Sequence, residues 1–105
     1  MICYKFKYKG ENAPAQMITT PCSTTILLGI HNGGDESATF TLFEGETEIT
    51  TSYTMTGYRV FKVVTPDTPE TKTYTATISG TIDEEPYTHT ISIKVTSNAV
   101  SFGDI

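Results

Sequence analysis

Residues 2–9 alternate strictly, with Ile2, Tyr4, Phe6 and Tyr8 on one side of an extended chain and Cys3, Lys5, Lys7 and Lys9 on the other. Successive side chains of a strand point to opposite faces, so a period of two predicts a strand with one face buried. Gly10, Asn12 and Pro14 break the pattern, and residues 16–20 predict a short second strand that ends at Pro21. Residues 24–31 form a compact apolar run in which Ile26, Leu28 and Ile30 share a face. The run halts at Asn32-Gly33-Gly34-Asp35, a cluster of residue types that tolerate or favour tight turns.

Ala38, Phe40 and Leu42 then alternate against Thr39, Thr41 and Phe43, and Glu44-Gly45 predicts a hairpin turn with a return strand over residues 46–50. Residues 58–65, rich in valine and aromatics, predict another strand. Pro66-Asp67-Thr68-Pro69 closes it, because proline removes two backbone donors. Farther on, Tyr74, Ala76 and Ile78 oppose Thr73, Thr75 and Thr77 in a strand expected to end at Gly80; His89, Ile91 and Ile93 then oppose Thr90, Ser92 and Lys94. No segment repeats apolar residues at helical spacing behind a cap.

Composition agrees with strands: the chain has 21 threonines, a β-branched residue that packs well on a pleated surface and opposes helix. With 105 residues it suits one domain, able to bury roughly 65% of its unfolded surface without disulfides or metals. Short strands with turn signals every 8 to 12 residues point to a sandwich or small barrel. The expectation is an all-β, antiparallel sandwich of seven to nine strands. It spans residues 1–105 as a single domain, with a core over about 24–96, an N-terminal strand over 2–9 and a tail over 97–105.

The net charge of −5 disfavours nucleic acid, whose binding depends on neutralising phosphates. Cys3 and Cys22 are too few for a disulfide framework, and two free thiols are expected. The N-terminal charges are followed by no apolar run of the export-signal kind, and no apolar segment is long enough to cross a membrane as a helix. These features predict synthesis in the cytoplasm, with no membrane partner.

Residues 24–95 resemble an immunoglobulin-type domain of the bacterial and phage kind, similar in pattern to the cell-adhesion-related modules of bacterial surface proteins. The stretch from Thr24 through Gly34, followed by Ser37 to Gly45, resembles the second strand, Asn-Gly corner and third strand of such modules. Tyr74, two positions before the small Ala76, resembles the tyrosine corner of these sandwiches, which implies that Tyr74 tethers the preceding loop. The same resemblance places Leu28 and Ala76 in the positions of the inter-sheet cysteine pair and Phe40 in that of the core tryptophan.

Candidate chemistry is sparse. His31 and His89 are the only imidazoles, and each has a structural reading: His31 ends a strand beside the Asn-Gly corner, and His89 caps the edge of the core. No catalytic residue is expected. Cys-x-x-Cys, His-x-His and the Asp-rich calcium loop are all missing, so neither metal nor cofactor is expected. The candidate partner-binding residues are surface features. Lys5, Lys7 and Lys9 form a positive strip that either protects a sheet edge or docks on an acidic surface. Glu44, Glu46 and Glu48 at spacing two suggest an acidic strip on one face of a hairpin. Phe102, in an apolar tail with Val100 and Ile105, suggests an arm, as do the first twenty residues.

The family resemblance, a start at Met1 and the missing export signal together lead to an expected role as a non-enzymatic accessory structural protein of a phage virion. Capsid decoration is the expected task, with the capsid protein or neighbouring copies as partners. The alternative is a carbohydrate- or protein-binding module of a bacterial surface system, with Tyr53, Tyr58 and Tyr87 as faces on which a glycan would stack.

Overall fold

The longer strands form where apolar residues alternate with threonine, serine or lysine, and ten strands in all occupy residues 4–98, the part of the chain that the computed structural model describes. The first sheet has the order β2 (Glu11–Asn12), β1 (Phe6–Tyr8), β4 (Thr25–His31), β8 (Tyr58–Val64) and β7 (Ser52–Met55). The second runs β3 (Met17–Pro21), β10 (Glu85–Asn98), β9 (Glu70–Ile82), β5 (Thr39–Glu44) and β6 (Thr47–Glu48). Placing β1, β4, β8 and β7 in one sheet and β10, β9 and β5 in the other reproduces the strand arrangement of an immunoglobulin sandwich. The fold is therefore the expected all-β, immunoglobulin-like one. Its count exceeds seven to nine because β2 and β6 are two-residue strands, too short to show a period. One pair, β3 with β10, is parallel.

The two inner faces meet in a single core. Leu28 and Ile30 of the first sheet and Leu42, Tyr74, Ala76 and Ile78 of the second are fully buried. Leu28 and Ala76 lie fully buried in facing sheets, and Phe40 packs half-buried against the same cluster.

The expected core began at about residue 24, with a half-buried strand over 2–9 and the first twenty residues as a candidate arm; residues 4–21 are instead part of both sheets. Tyr4, Phe6, Ala13 and Ile18 all enter the core. The chain switches sheets at a 3-10 turn, Pro14–Gln16, where the Phe6 N–H donates to Gln16 Oε1 at 2.7 Å and Gln16 Nε2 donates to the Ala13 carbonyl at 3.0 Å. Apolar alternation could not show this, because the crossover depends on a polar side chain. Residues 99–105, which include Phe102, and residues 1–3, which include Cys3, lie outside the described residues.

Tyr74 corrects a second expectation. β9 begins at Glu70, so Tyr74 lies inside the strand with its ring in the core, and its buried hydroxyl has no hydrogen-bond partner among the described residues. Burial pushes its phenol pKa up. Loop tethering falls instead to two small hydroxyl residues. Thr65 Oγ1 accepts from the Thr24 N–H at 3.0 Å and donates to the Pro21 carbonyl at 2.8 Å; Ser97 Oγ meets the Thr68 and Glu70 carbonyls, each at 3.1 Å.

The outer face of the second sheet is almost uncharged. Thr71, Thr73, Thr75, Thr77 and Ser79 of β9 lie opposite Thr96, Lys94, Ser92, Thr90 and Thr88 of β10, and Thr39 and Thr41 of β5 flank them. Hydroxyls pair across the strands, Thr71 with Thr96 at 2.9 Å and Thr75 with Ser92 at 3.3 Å. Much of the chain's threonine is spent here, as cross-strand pairs on a solvated face.

β9 does not stop at Gly80. It pairs with β10 as far as Ile82, beyond Ser79, the last residue that β5 covers, while β3 joins β10 only from Lys94 onward. Residues 81–86 therefore form a hairpin tip that projects from the sandwich, with Gly80 and Tyr87 packed at its base. Its two-residue turn, Asp83-Glu84, has φ of 51° and 69°, as a type I′ turn requires. Gly80 has a packing role: a Cβ there would lie 2.5 Å from Asp35 Oδ2 and 2.7 Å from the Tyr87 hydroxyl, which hydrogen-bond to each other at 2.8 Å.

Candidate functional site

Gly29 sits in the middle of β4 on the face turned away from the core, between Lys7 of β1 and Val60 of β8. Its missing side chain leaves a depression. Thr25 and Leu27 precede Gly29 on that face of β4, Tyr58 and Lys62 flank Val60 on β8, and Tyr53 and Met55 come from β7. All of these but Lys62, together with the β1–β2 turn and the β3–β4 connection, line a groove of about 640 Å³, within the range of about 300–1,000 Å³ of ordinary ligand pockets. Its lining is mainly apolar and aromatic. Leu27 and Met55 remain 44% and 52% exposed, respectively, so the outer face of this sheet is unusually rich in uncovered apolar side chains.

The groove's charge is positive and one-sided. Lys7 and Lys9 line it, Lys62 stands beside it, and no carboxylate is among the lining residues. Lys7 Nζ donates to the Tyr58 hydroxyl at 2.9 Å and lies 5.0 Å from that ring's centroid; Lys62 Nζ lies 5.7 Å from the Tyr53 centroid. The cations rest against aromatic rings rather than against acids. Such pairs are attracted by the ring quadrupole but leave the charge uncompensated. In a chain of net charge −5, a positive apolar groove stands against the overall charge.

The lysine strip is only partly assembled. Lys7 and Lys9 reach the groove, Lys9 from the turn after β1 with φ of 55° and its Nζ 5.3 Å from the Tyr8 ring centroid. Lys5 is exposed before β1 and does not line the groove. Edge protection is not the arrangement either, since β1 pairs with β2 on one side and β4 on the other.

The acidic strip is not formed. Phe43 pairs with Glu48 and Glu44 with Thr47, which puts Glu44 and Glu48 on opposite faces of the hairpin, with Glu46 in the turn. Spacing two holds only within one strand; here a turn intervenes and resets the parity. Glu44 faces inward, where it forms a salt bridge with Lys72 and holds that amine's pKa up.

The histidines have structural surroundings. His31 ends β4, its Nδ1 accepts from the Gly33 N–H at 2.9 Å, and its ring meets Tyr58 edge-on. His89 lies against Tyr4 with ring centroids 4.9 Å apart, at the rim of the core. Of the three tyrosines proposed as sugar-stacking faces, Tyr53 and Tyr58 share the groove, whereas Tyr87 lies on the other sheet. There it donates to Asp35, and burial followed by that hydrogen bond pushes its pKa well up.

Sequence reading missed Leu27, Gly29, Met55 and Lys62 as site residues. Two signals were present: Leu27 is apolar at an outward position of its strand, and Gly29 interrupts a strand interior, where glycine often marks close approach by a ligand or another backbone.

No family model matches the chain, and no curated protein matches it in sequence. Among solved structures it is similar to the trigonal form of titin M4, with a TM-score of 0.46 and 15% identity over 80% of this chain and 86% of that one. The immunoglobulin-like character of the fold stands on the strand order of its two sheets.

Proposed function

We propose that this chain is a non-enzymatic binding domain that docks through the groove over Gly29 onto a protein surface presenting carboxylates among apolar side chains. The supporting observation is the combination of an open apolar floor with Lys7, Lys9 and Lys62 and no lining acid. Lys7 is half-buried and Lys9 and Lys62 are exposed; resting on aromatic rings with no acid beside them, they gain from a partner that brings negative charge against the apolar floor and shields the pairs from water. His31 and His89 each have structural contacts and no nucleophile is paired with either in the hydrogen bonds described, which favours binding over catalysis.

In its narrower form the proposal is an accessory structural protein of a phage virion, docked on the head surface beside the capsid protein. The resemblance of residues 24–95 to bacterial and phage immunoglobulin-type domains supports it. Mass spectrometry of purified particles against the soluble lysate tests this, and enrichment in particles is the expected result. The groove is tested by Gly29→Val, whose Cβ would meet nothing nearer than Val60 Cγ2 at 4.0 Å. Val fills the depression and suits a central strand, so the variant keeps its melting temperature while its particle occupancy falls tenfold or more. Unchanged occupancy would sink the docking role of the groove.

A second reading, a glycan-binding module of a bacterial surface system, is favoured by Tyr53 and Tyr58 lying in one groove. It ranks lower because Lys62 and Lys7 already sit against those rings. Binding on a glycan array that Tyr53→Ala abolishes would reverse the order.

A further inference from the structure

The groove and the hairpin tip are complementary in charge, polarity and size, and they lie on different sheets. The tip carries Asp83, Glu84 and Glu85 in succession, flanked by Ile82, which is 47% exposed, and by Pro86. It is thus negative at its apex with apolar shoulders, the inverse of a positive groove with an apolar floor. The groove is bounded by β1 on one side and β7 on the other, three strand spacings apart in the order β1-β4-β8-β7, or about 14 Å. A two-stranded tip measures one strand spacing plus its side chains, about 10 Å, and fits between those rims. The groove opens on the side of the first sheet away from the second, while the tip extends the second sheet, so a chain does not reach its own groove.

We infer that the groove receives the Ile82–Pro86 hairpin tip of a second copy of this chain. This deepens the docking function proposed above and rests on it. Lys7, Lys9 and Lys62 face Asp83, Glu84 and Glu85 of the incoming tip, and Leu27 and Met55 cover Ile82 and Pro86. The contact is heterologous, groove to tip, so the first pair still offers one free groove and one free tip, and an operator that does not close into a ring continues the assembly into rows. A tip of five residues buries far less than a standard interface of about 1,600 Å², which makes the isolated contact weak. Rows then form where copies are held side by side on a larger surface.

Sedimentation velocity of the full chain from micromolar to millimolar concentration tests the inference. The expected result is open-ended, concentration-dependent association that weakens about tenfold or more between low and high salt as the charges are screened. Asp83→Asn/Glu84→Gln/Glu85→Gln and Lys7→Gln/Lys62→Gln each become monomeric, with melting curves confirming that both variants fold. Mixed together, they retain one intact groove and one intact tip and form a heterodimer that grows no further. A wild-type chain that stays monomeric at millimolar concentration overturns the inference, as does a mixture that fails to pair. If the tip variant associates as the wild type does while Gly29→Val loses particle occupancy, the second copy is eliminated as occupant and the docking groove stands. If neither groove variant changes occupancy, the docking proposal itself falls.

Discussion

Replacing Thr65 by valine probes the contact that ties the sandwich together beside the groove. Thr65 is 3% exposed, and its hydroxyl links three segments: it accepts from the Thr24 N–H at 3.0 Å, donates to the Pro21 carbonyl at 2.8 Å and lies 3.2 Å from the Thr24 carbonyl. Valine preserves shape, so no cavity opens and the effect isolates the hydrogen bonds. Two such bonds contribute about 1 kcal/mol each, and the stranded N–H of half-buried Thr24 adds a desolvation cost of about 1 kcal/mol, for a loss of about 3 kcal/mol. At roughly 4–8 °C per kcal/mol for a domain of this size, Tm falls by about 12–24 °C. Serine keeps the hydroxyl and loses only a methyl, about 1 kcal/mol. Urea and thermal melts followed by circular dichroism should rank wild type above Thr65→Ser and Thr65→Val lowest. A valine variant within about 0.5 kcal/mol of wild type, a typical surface effect, or a serine variant below valine, would refute the reasoning. Because Thr20, Pro21, Thr24 and Thr25 form one wall of the groove, the valine variant should also dock less tightly.

Tyr74→Phe removes a buried hydroxyl with no partner among the described residues, so it should leave stability unchanged or raise it by up to about 1 kcal/mol; a clear drop in the urea midpoint would restore the tyrosine corner. The Ser37 hydroxyl, then Tyr87 and the Ser37 N–H, hold Asp35 below the usual carboxylate range. The folded chain therefore binds that proton more weakly than the unfolded one, giving a stabilisation present above about pH 3.9 and lost as pH falls through the folded value. Urea titrations of wild type and Ser37→Ala should accordingly differ near neutrality and converge in acid; a gap that widens below pH 4 would contradict this. Gly80→Ala places a Cβ 2.5 Å from Asp35 Oδ2 and 2.7 Å from the Tyr87 hydroxyl, so the pair must separate. Absorbance titration should then show a phenol titrating at lower pH than in wild type, and an unchanged curve would mean that the tip accommodates the methyl.

Alternation by itself determined the central strands and which of their residues are inside, though not β2, β6 or β7 (Ser52–Met55), which are too short to show a period. Ile26, Leu28 and Ile30, and Tyr74, Ala76 and Ile78, are buried as their period requires, because the pleat ties side-chain direction to sequence parity within one strand. Parity carries no information across a turn, and there the tertiary structure decided. It separated Glu44 from Glu48, and it let β9 run past Gly80 because Tyr87 and Asp35 fill the space that a Cβ would need. It also placed residues 4–21 in both sheets through the Gln16 amide. The groove belongs to the same class. Lys7, Gly29, Tyr53, Tyr58 and Lys62 come from four strands spread over 56 positions, and only the order β1-β4-β8-β7 makes them neighbours. The sequence specified each residue's side of its own strand, and long-range strand pairing selected which of those sides share a face.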